Sequence, residues 1–366
     1  MTEIQFKHVT KIFGKKVEAV KDLSFIIEDG EYVSLIGPSG CGKTTTLRLL
    51  AGTVLPTRGK IFFDNEEVEK LPIQKRNLGF VFQHFAIFPH MNVWENIAYG
   101  PTVKGKRKSE IEELVEHSLS SVQMKKRAES FPSELSAPEL QKVSLARVIA
   151  AEAKILLLDE PLGALDQKIR EEFQFFLRDF VKKQGLTAIH VTHDQAEALS
   201  ISDKVIVLNK GQLIQMGTPE DLIFSPTNLF TSFFVGESDF IEGYILDDST
   251  RFSKVRVGLE SVYVQNAGIS KGERVVIAIR REFFDVKKPN KNNENFLTGK
   301  IISDKFLGLF RRVKVLLKNQ QIIEAKIHAK SPIKFKENET VHVIIDPSRT
   351  RCFEFPKEGI QKSLEM

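Results

Sequence analysis

Residues 1–236 alternate short apolar runs with segments whose apolar positions recur at helical spacing. Tyr32-Val33-Ser34-Leu35-Ile36, Ile155-Leu156-Leu157-Leu158, Ala188-Ile189-His190-Val191 and Val205-Ile206-Val207-Leu208 read as strands buried on both faces. Thr44 to Leu50 reads as a helix with Gly52 as its stop. Such alternation predicts a parallel α/β sheet covered on both sides. Residues 109–127 and 140–152 have helical spacing and few β-branched runs, and read as a helical insert. After Gly236 the pattern changes to short β-rich runs split by Gly, Asn, Lys and Pro.

That second part carries a weak internal repeat. Phe240-Ile241-Glu242-Gly243-Tyr244-Ile245 resembles Phe296-Leu297-Thr298-Gly299-Lys300-Ile301, and Gly272-Glu273-Arg274-Val275-Val276-Ile277 resembles Asn338-Glu339-Thr340-Val341-His342-Val343. Two similar β units predict paired small barrels of the OB kind, with Lys287 to Asn295 as the linker. We therefore expect an α/β domain over 1–236, with a helical subdomain at about 86–154, and an all-β domain over 237–366.

Charge changes this picture little. The formal net charge of +5 combines −3 over residues 1–239 (29 Lys+Arg, 32 Asp+Glu) with +8 over 240–366 (24 and 16). A basic tail suits nucleic acid or anionic lipid. Its basic residues are spread along strand-like segments, singly or in pairs, without the basic and aromatic clusters of single-strand binders, so a solvated face is expected and no nucleic-acid partner. Two cysteines, Cys41 and Cys352, are too few for a disulfide framework or a cysteine-rich zinc site, and a reducing cytoplasm is the simpler expectation. The longest apolar runs fall far short of the ~20 residues that span a bilayer. The start, Met1-Thr2-Glu3-Ile4, has no basic stretch followed by an apolar one, so no secretory signal is expected.

The chemistry concentrates in two places. Gly37-Pro38-Ser39-Gly40-Cys41-Gly42-Lys43-Thr44 fits G-x-x-x-x-G-K-[ST] in full, after an apolar strand and before a helix. Glycines let the backbone curl its N–H groups toward phosphate oxygens, and the helix N-terminus adds its positive end. Lys43 is expected to bridge the β- and γ-phosphates of ATP, Thr44 to hold Mg²⁺, and Thr45 to line the same turn. Oxidation of Cys41, inside this loop, would close it to nucleotide. Ile155-Leu156-Leu157-Leu158-Asp159-Glu160 supplies the acidic end of a strand, with Asp159 toward Mg²⁺ and Glu160 as general base for water.

The order of further motifs resembles the ATP-binding subunits of ABC transporters over nearly the whole chain. That resemblance implies a P-loop NTPase fold (RecA-like core plus helical subdomain) followed by a small OB-like regulatory domain. It implies ATPase activity on the cytoplasmic face of the membrane, with permease subunits, a second ATPase subunit and, indirectly, an extracytoplasmic solute-binding protein as partners. Phe13 falls where the family stacks an aromatic ring on adenine, with core packing as the other reading of that ring. Gln83, in Val81-Phe82-Gln83, matches the glutamine that contacts Mg²⁺ and the attacking water. His193, in Val191-Thr192-His193-Asp194, matches the histidine of the γ-phosphate, and Asp166 the loop that crosses the dimer interface. The stretch Gln195 to Leu199 and the β-rich tail look like the importer branch, with polyamine, ferric-ion, sulfate and carbohydrate types. Phe234 to Gly243 looks closer to the polyamine or ferric types. Phe85, Phe88, Pro89 and Trp94 are implied contacts for a membrane subunit, with burial as the alternative.

One stretch departs from the family. Where its signature reads Leu-Ser-Gly-Gly-Gln, this chain has Leu135-Ser136-Ala137-Pro138-Glu139. Ser136 is retained for a γ-phosphate. Pro138 has no N–H to donate, Ala137 adds a Cβ and Glu139 adds a carboxylate. The same residues fit an S-x-x-E capping box, so a helix is still expected to start here. An intact phosphate loop and Asp159–Glu160 pair beside an altered signature point to a heterodimer of two ATPase subunits. The rival readings are a regulatory subunit with little hydrolysis and a soluble nucleic-acid-associated ABC ATPase.

Overall fold

In the computed structural model, which describes residues 2–14, 17–248, 251–266 and 268–365, the apolar runs of the first half become one six-stranded sheet. The chain divides into two units, Met1–Pro219 and Glu220–Met366. The division expected at 236/237 falls inside the second unit, because α8 (Leu229–Phe234) packs on α9 (Ile360–Leu364) and on β11 (Ser238–Asp248) there.

The first unit begins with β1 (Ile4–Phe13), β2 (Val17–Ile27), β3 (Tyr32–Ile36), α1 (Lys43–Ala51), β4 (Arg58–Phe63), β5 (Glu66–Glu67) and β6 (Leu78–Val81). A helical insert follows, α2 (Val93–Val103), α3 (Lys108–Ser121) and α4 (Ala137–Ala150). Then come β7 (Ile155–Asp159), α5 (Gln167–Lys183), β8 (Thr187–Val191), α6 (Gln195–Ile201), β9 (Lys204–Asn209) and β10 (Gln212–Gly217). The large sheet runs β10-β9-β3-β8-β7-β6, parallel except for β10, and the smaller antiparallel one runs β2-β1-β4-β5. Alternate residues of one strand enter different cores. Ile155 and Leu157 pack with α1 and the antiparallel sheet, whereas Leu156 and Leu158 pack with the helical insert. This two-sided burial is why these strands read as continuous apolar runs.

The insert corrects the expected boundaries. The 109–127 segment is α-helical only to Ser121, with Gln123 in the left-handed region just beyond and a single 3₁₀ turn over Lys125–Arg127. The signature helix starts at Ala137, three residues before 140, behind the cap Ser136. Helix α2 was not anticipated, although Asn92-Val93-Trp94-Glu95 carries its start signal: Asn92 Oδ1 accepts from the Glu95 N–H at 2.8 Å and Glu95 accepts from the Asn92 N–H at 2.9 Å.

The second unit holds α7 (Pro219–Phe224), α8, β11, β12 (Phe252–Val257), β13 (Glu260–Gln265), β14 (Arg274–Arg280), β15 (Phe284–Lys287), β16 (Phe296–Leu307), β17 (Phe310–Leu317), β18 (Ile322–His328), β19 (Thr340–Ile345), β20 (Thr350–Glu354) and α9. The internal repeat is structural. Gly243 pairs with Val275 as Gly299 pairs with Val341. The register shift after Ile245 on β11 recurs after Ile301 on β16. The units are not two separate barrels, however. The sheets run β13-β12-β11-β14-β20 and β15-β19-β16-β17-β18, so each repeat gives its last strand to the other's sheet, and both sheets share one core.

Candidate functional site

The site residues collect at the C-terminal edge of the parallel sheet, where open α/β folds place ligands. β3 leads into the Gly37–Thr44 loop, β7 ends on Asp159 with Glu160 next, β8 is followed by His193, and Gln83 follows β6. Gly37, Gly40 and Gly42 all lie at positive φ. A Cβ on Gly37 would strike the Leu208 carbonyl, and one on Gly42 the Ala19 carbonyl, so this curl needs glycine at both places.

Lys43 is 4% exposed. Its ammonium donates to the carbonyls of Gly37 (2.7 Å) and Pro38 (3.1 Å) and has no carboxylate partner among the described residues. It sits at the start of α1, whose cap is Gly42, with no capping side chain and no acidic residue in the first turn. Free amides, a helix N-terminus and an unneutralised ammonium together favour an anion. Ser39, Gly40, Cys41, Gly42, Thr44 and Thr45 join Lys43 and His193 around a cavity of about 240 Å³.

Opposite the loop, His193 Nε2 lies 2.6 Å from Glu160 Oε1. Glu160 is held in the left-handed region at φ 47°, with its N–H on the Val191 carbonyl at 2.9 Å. Burial, then the neighbouring Glu160 charge, pushes the Asp159 carboxyl up from its ordinary value. Gln83 adjoins the same turn: a Cβ on Gly163 would lie 3.3 Å from Gln83 Nε2 and 3.4 Å from the Glu160 carbonyl. Thr44, Asp159 and Gln83 offer hydroxyl, carboxylate and amide oxygens, the hard donors Mg²⁺ prefers when phosphates complete its shell.

The remaining expectations divide. Phe13 is 41% exposed with Lys11 Nζ 5.0 Å from its ring centroid, so the core reading of that ring does not hold. Cys41 is buried, its N–H bonded to the Pro38 carbonyl at 3.2 Å, and burial pushes its thiol up, which disfavours the thiolate that oxidation at this position would need. Asp166 caps α5, accepting from the Ile169 N–H at 3.1 Å. Trp94 packs against the insert's core. Phe88 lies 4.6 Å from Tyr99, with the Arg147 guanidinium 4.7 Å from its ring.

Ser136 is exposed, but its hydroxyl donates to Glu139 Oε2 at 2.8 Å. Two further residues escaped the sequence reading. Ser144 Oγ donates to the Phe85 carbonyl at 2.8 Å and Arg147 Nη1 to the Ala86 carbonyl at 2.6 Å, tying α4 to the loop after Gln83. No spacing signal could have found them, since their partners are backbone atoms some sixty positions away.

Residues 20–163 match the sequence profile of the family described as ABC transporter. The spermidine/putrescine import ATP-binding protein PotA of Clostridium acetobutylicum is 41% identical over 316 residues, covering 86% of this chain and 88% of that protein. The PotA of Acetivibrio thermocellus is 40% identical over 344 residues, 94% of each chain. Among solved structures, cbiO1 from Clostridium perfringens, part of the ABC transporter complex cbiONQ, aligns with TM-score 0.57 and 27% identity over 60% of this chain and 89% of its own. The dimeric bacterial ABC transporter cassette MJ0796 aligns with TM-score 0.52 and 31% identity over 59% of this chain and 98% of its own.

Proposed function

This chain belongs to the ABC transporter ATP-binding proteins, and on that premise we propose that it splits ATP to drive import of a polyamine, the solute class in the names of its relatives. It is an ABC-type ATPase coupled to transport and works with permease subunits. No helix among the described residues is long and apolar enough to cross a membrane. Our reading therefore places it peripherally, on the cytoplasmic face, pairing with a second ATPase chain and meeting the extracytoplasmic solute-binding protein only indirectly.

The observation that carries the reading is the His193–Glu160 contact at 2.6 Å, facing a loop that holds a buried, unneutralised Lys43. The loop amides and Lys43 take the β- and γ-phosphates, Lys43 leaving its two carbonyls for the stronger charge-assisted bonds. Thr44, Asp159 and Gln83 would hold Mg²⁺, which neutralises phosphate charge when bound. Glu160 takes the proton of the attacking water, and His193 fixes that carboxylate against the γ-phosphate. Phe13, exposed at the end of β1, is free to stack on a base.

The Ser136–Glu139 bond favours a second reading, in which this chain's signature contributes little and hydrolysis depends on a partner's normal one. The test of both is ATP turnover by the purified chain. Turnover that Glu160→Gln abolishes supports the catalytic reading and removes the need for a different partner. Turnover absent until a second ATPase subunit is added supports the heterodimer. Turnover insensitive to both Lys43→Ala and Glu160→Gln overturns the assignment.

A further inference from the structure

A cavity of about 450 Å³ lies within the second unit, larger than the one at the Lys43 loop. Its apolar lining comes from Ile223, Phe224, Ala278 and Phe283. Its polar lining includes three guanidinium groups, Arg280, Arg349 and Arg351, and contains no acidic residue.

Two of these cations have no carboxylate within ion-pair distance among the described residues, Glu282 acting on Arg280 only from beyond it. Arg280 is 6% exposed and donates through Nε and Nη2 to the carbonyls of Ile223 (3.0 Å) and Val235 (2.7 Å). Arg351 donates to the Phe224 carbonyl, to Gln265 Oε1 at 2.6 Å and to Ser225 Oγ at 2.9 Å. Neither forms an ion pair among the described residues. Carbonyl and hydroxyl dipoles orient a guanidinium without cancelling its charge, and a charge kept from water without a partner is costly. Arg349 is paired with Asp346 at 3.4 Å, yet its side chain stays 58% exposed. Ser238, 5% exposed, accepts from Ser232 Oγ at 3.3 Å, and its own proton has no acceptor among the described residues.

We infer that this cavity binds a small organic anion, a carboxylate or phosphate monoester on an apolar body. Guanidinium forks match both headgroups, Ser238 supplies a further donor, and the aromatic and aliphatic lining takes the body. A polyamine, which carries only positive charge, is repelled by the same three arginines. The site is independent of the nucleotide chemistry proposed above.

The test is titration of the full chain, carrying Lys43→Ala to silence the phosphate loop, with phenyl phosphate and separately with benzoate. Saturable binding of at least one probe is expected, and the preferred probe identifies the headgroup. Arg349→Gln, at a side chain 58% exposed, should weaken that probe by about tenfold, the scale of one lost charge-assisted hydrogen bond. Ser238→Ala should weaken it by a smaller factor. Absence of saturable binding by either probe, or binding that both substitutions leave unchanged, overturns the inference.

Discussion

The hydroxyl of Ser136 and the carboxylate of Glu139 are hydrogen-bonded at 2.8 Å, and the Ser136 N–H donates to the same oxygen at 2.9 Å. Arg127 holds the other oxygen at 3.2 Å. These contacts start α4, and the Ser136 donors first, then Arg127, hold the Glu139 carboxyl below its ordinary value. They also occupy the hydroxyl that the proposed composite site would turn toward a partner's γ-phosphate. Helix initiation and phosphate contact therefore compete for a single group.

Glu139→Gln separates the two roles. Glutamine keeps an oxygen for Ser136, so the capping box survives. The negative charge that the proposed composite site would set against a polyphosphate is gone. ATP turnover is expected to rise by about tenfold, or ~1.4 kcal/mol of transition-state stabilisation. A steady-state ATPase assay in which the variant is no faster than the parent removes Glu139 as the obstacle.

The same carboxylate gives a pH dependence. A folded-state pKa below the unfolded value means its stabilisation is complete above the unfolded pKa of ~4.3 and disappears as pH falls through the lower folded value. The thermal midpoint of the parent should exceed that of Glu139→Gln near neutrality, and the gap should close only on strong acidification. A gap that stays constant into the acid range would falsify this account of α4.

Glu160 Oε1 and His193 Nε2 lie 2.6 Å apart. Glu160→Gln is expected to cut turnover by about 10²–10⁴-fold, the usual weight of general-base catalysis, while nucleotide affinity is kept. His193→Ala, which frees that carboxylate, should lower turnover with the same split between binding and rate. Single-turnover kinetics beside equilibrium nucleotide titration separates the two effects. A loss confined to affinity contradicts the assignment.

Ser144 supports the segment after Gln83, where Phe85 (φ 59°) and Ala86 (φ 48°) both occupy the left-handed region. Two successive non-glycine residues persist there only if their surroundings hold them. Ser144→Ala leaves the Phe85 carbonyl short of a donor and should cost roughly 1–3 kcal/mol in urea unfolding. Faster proteolysis between 84 and 92 should accompany the loss. Unchanged stability and cleavage would show that the loop holds its own shape.

The strand repeat predicts matched responses at two glycines. A Cβ on Gly243 would overlap Val255 Cγ1 and lie 2.7 Å from the Arg256 carbonyl; on Gly299 it would overlap Val315 Cγ1 and lie 2.9 Å from the Leu316 carbonyl. Gly243→Ala and Gly299→Ala should each destabilise by about 1–3 kcal/mol, the cost of overpacking. Adding Val255→Ala or Val315→Ala should recover part of it. Unequal penalties would break the equivalence of the repeats.

By itself the sequence determined whatever depends on local chemistry. Gly37, Gly42 and Lys43 declare a phosphate loop because only glycine tolerates those backbone angles beside carbonyls. The run Ile155 to Leu158 declares a strand covered on both sides, and Ser136 to Glu139 declares a helix start. Tertiary structure alone decided which separated residues meet. It brought His193 to Glu160 and Ser144 to Phe85, and it exchanged β15 and β20 between the two repeats, turning an expected pair of barrels into two sheets over one core. Such pairings depend on the closing of long loops and on which apolar face finds cover, and neither leaves a periodic mark in the chain.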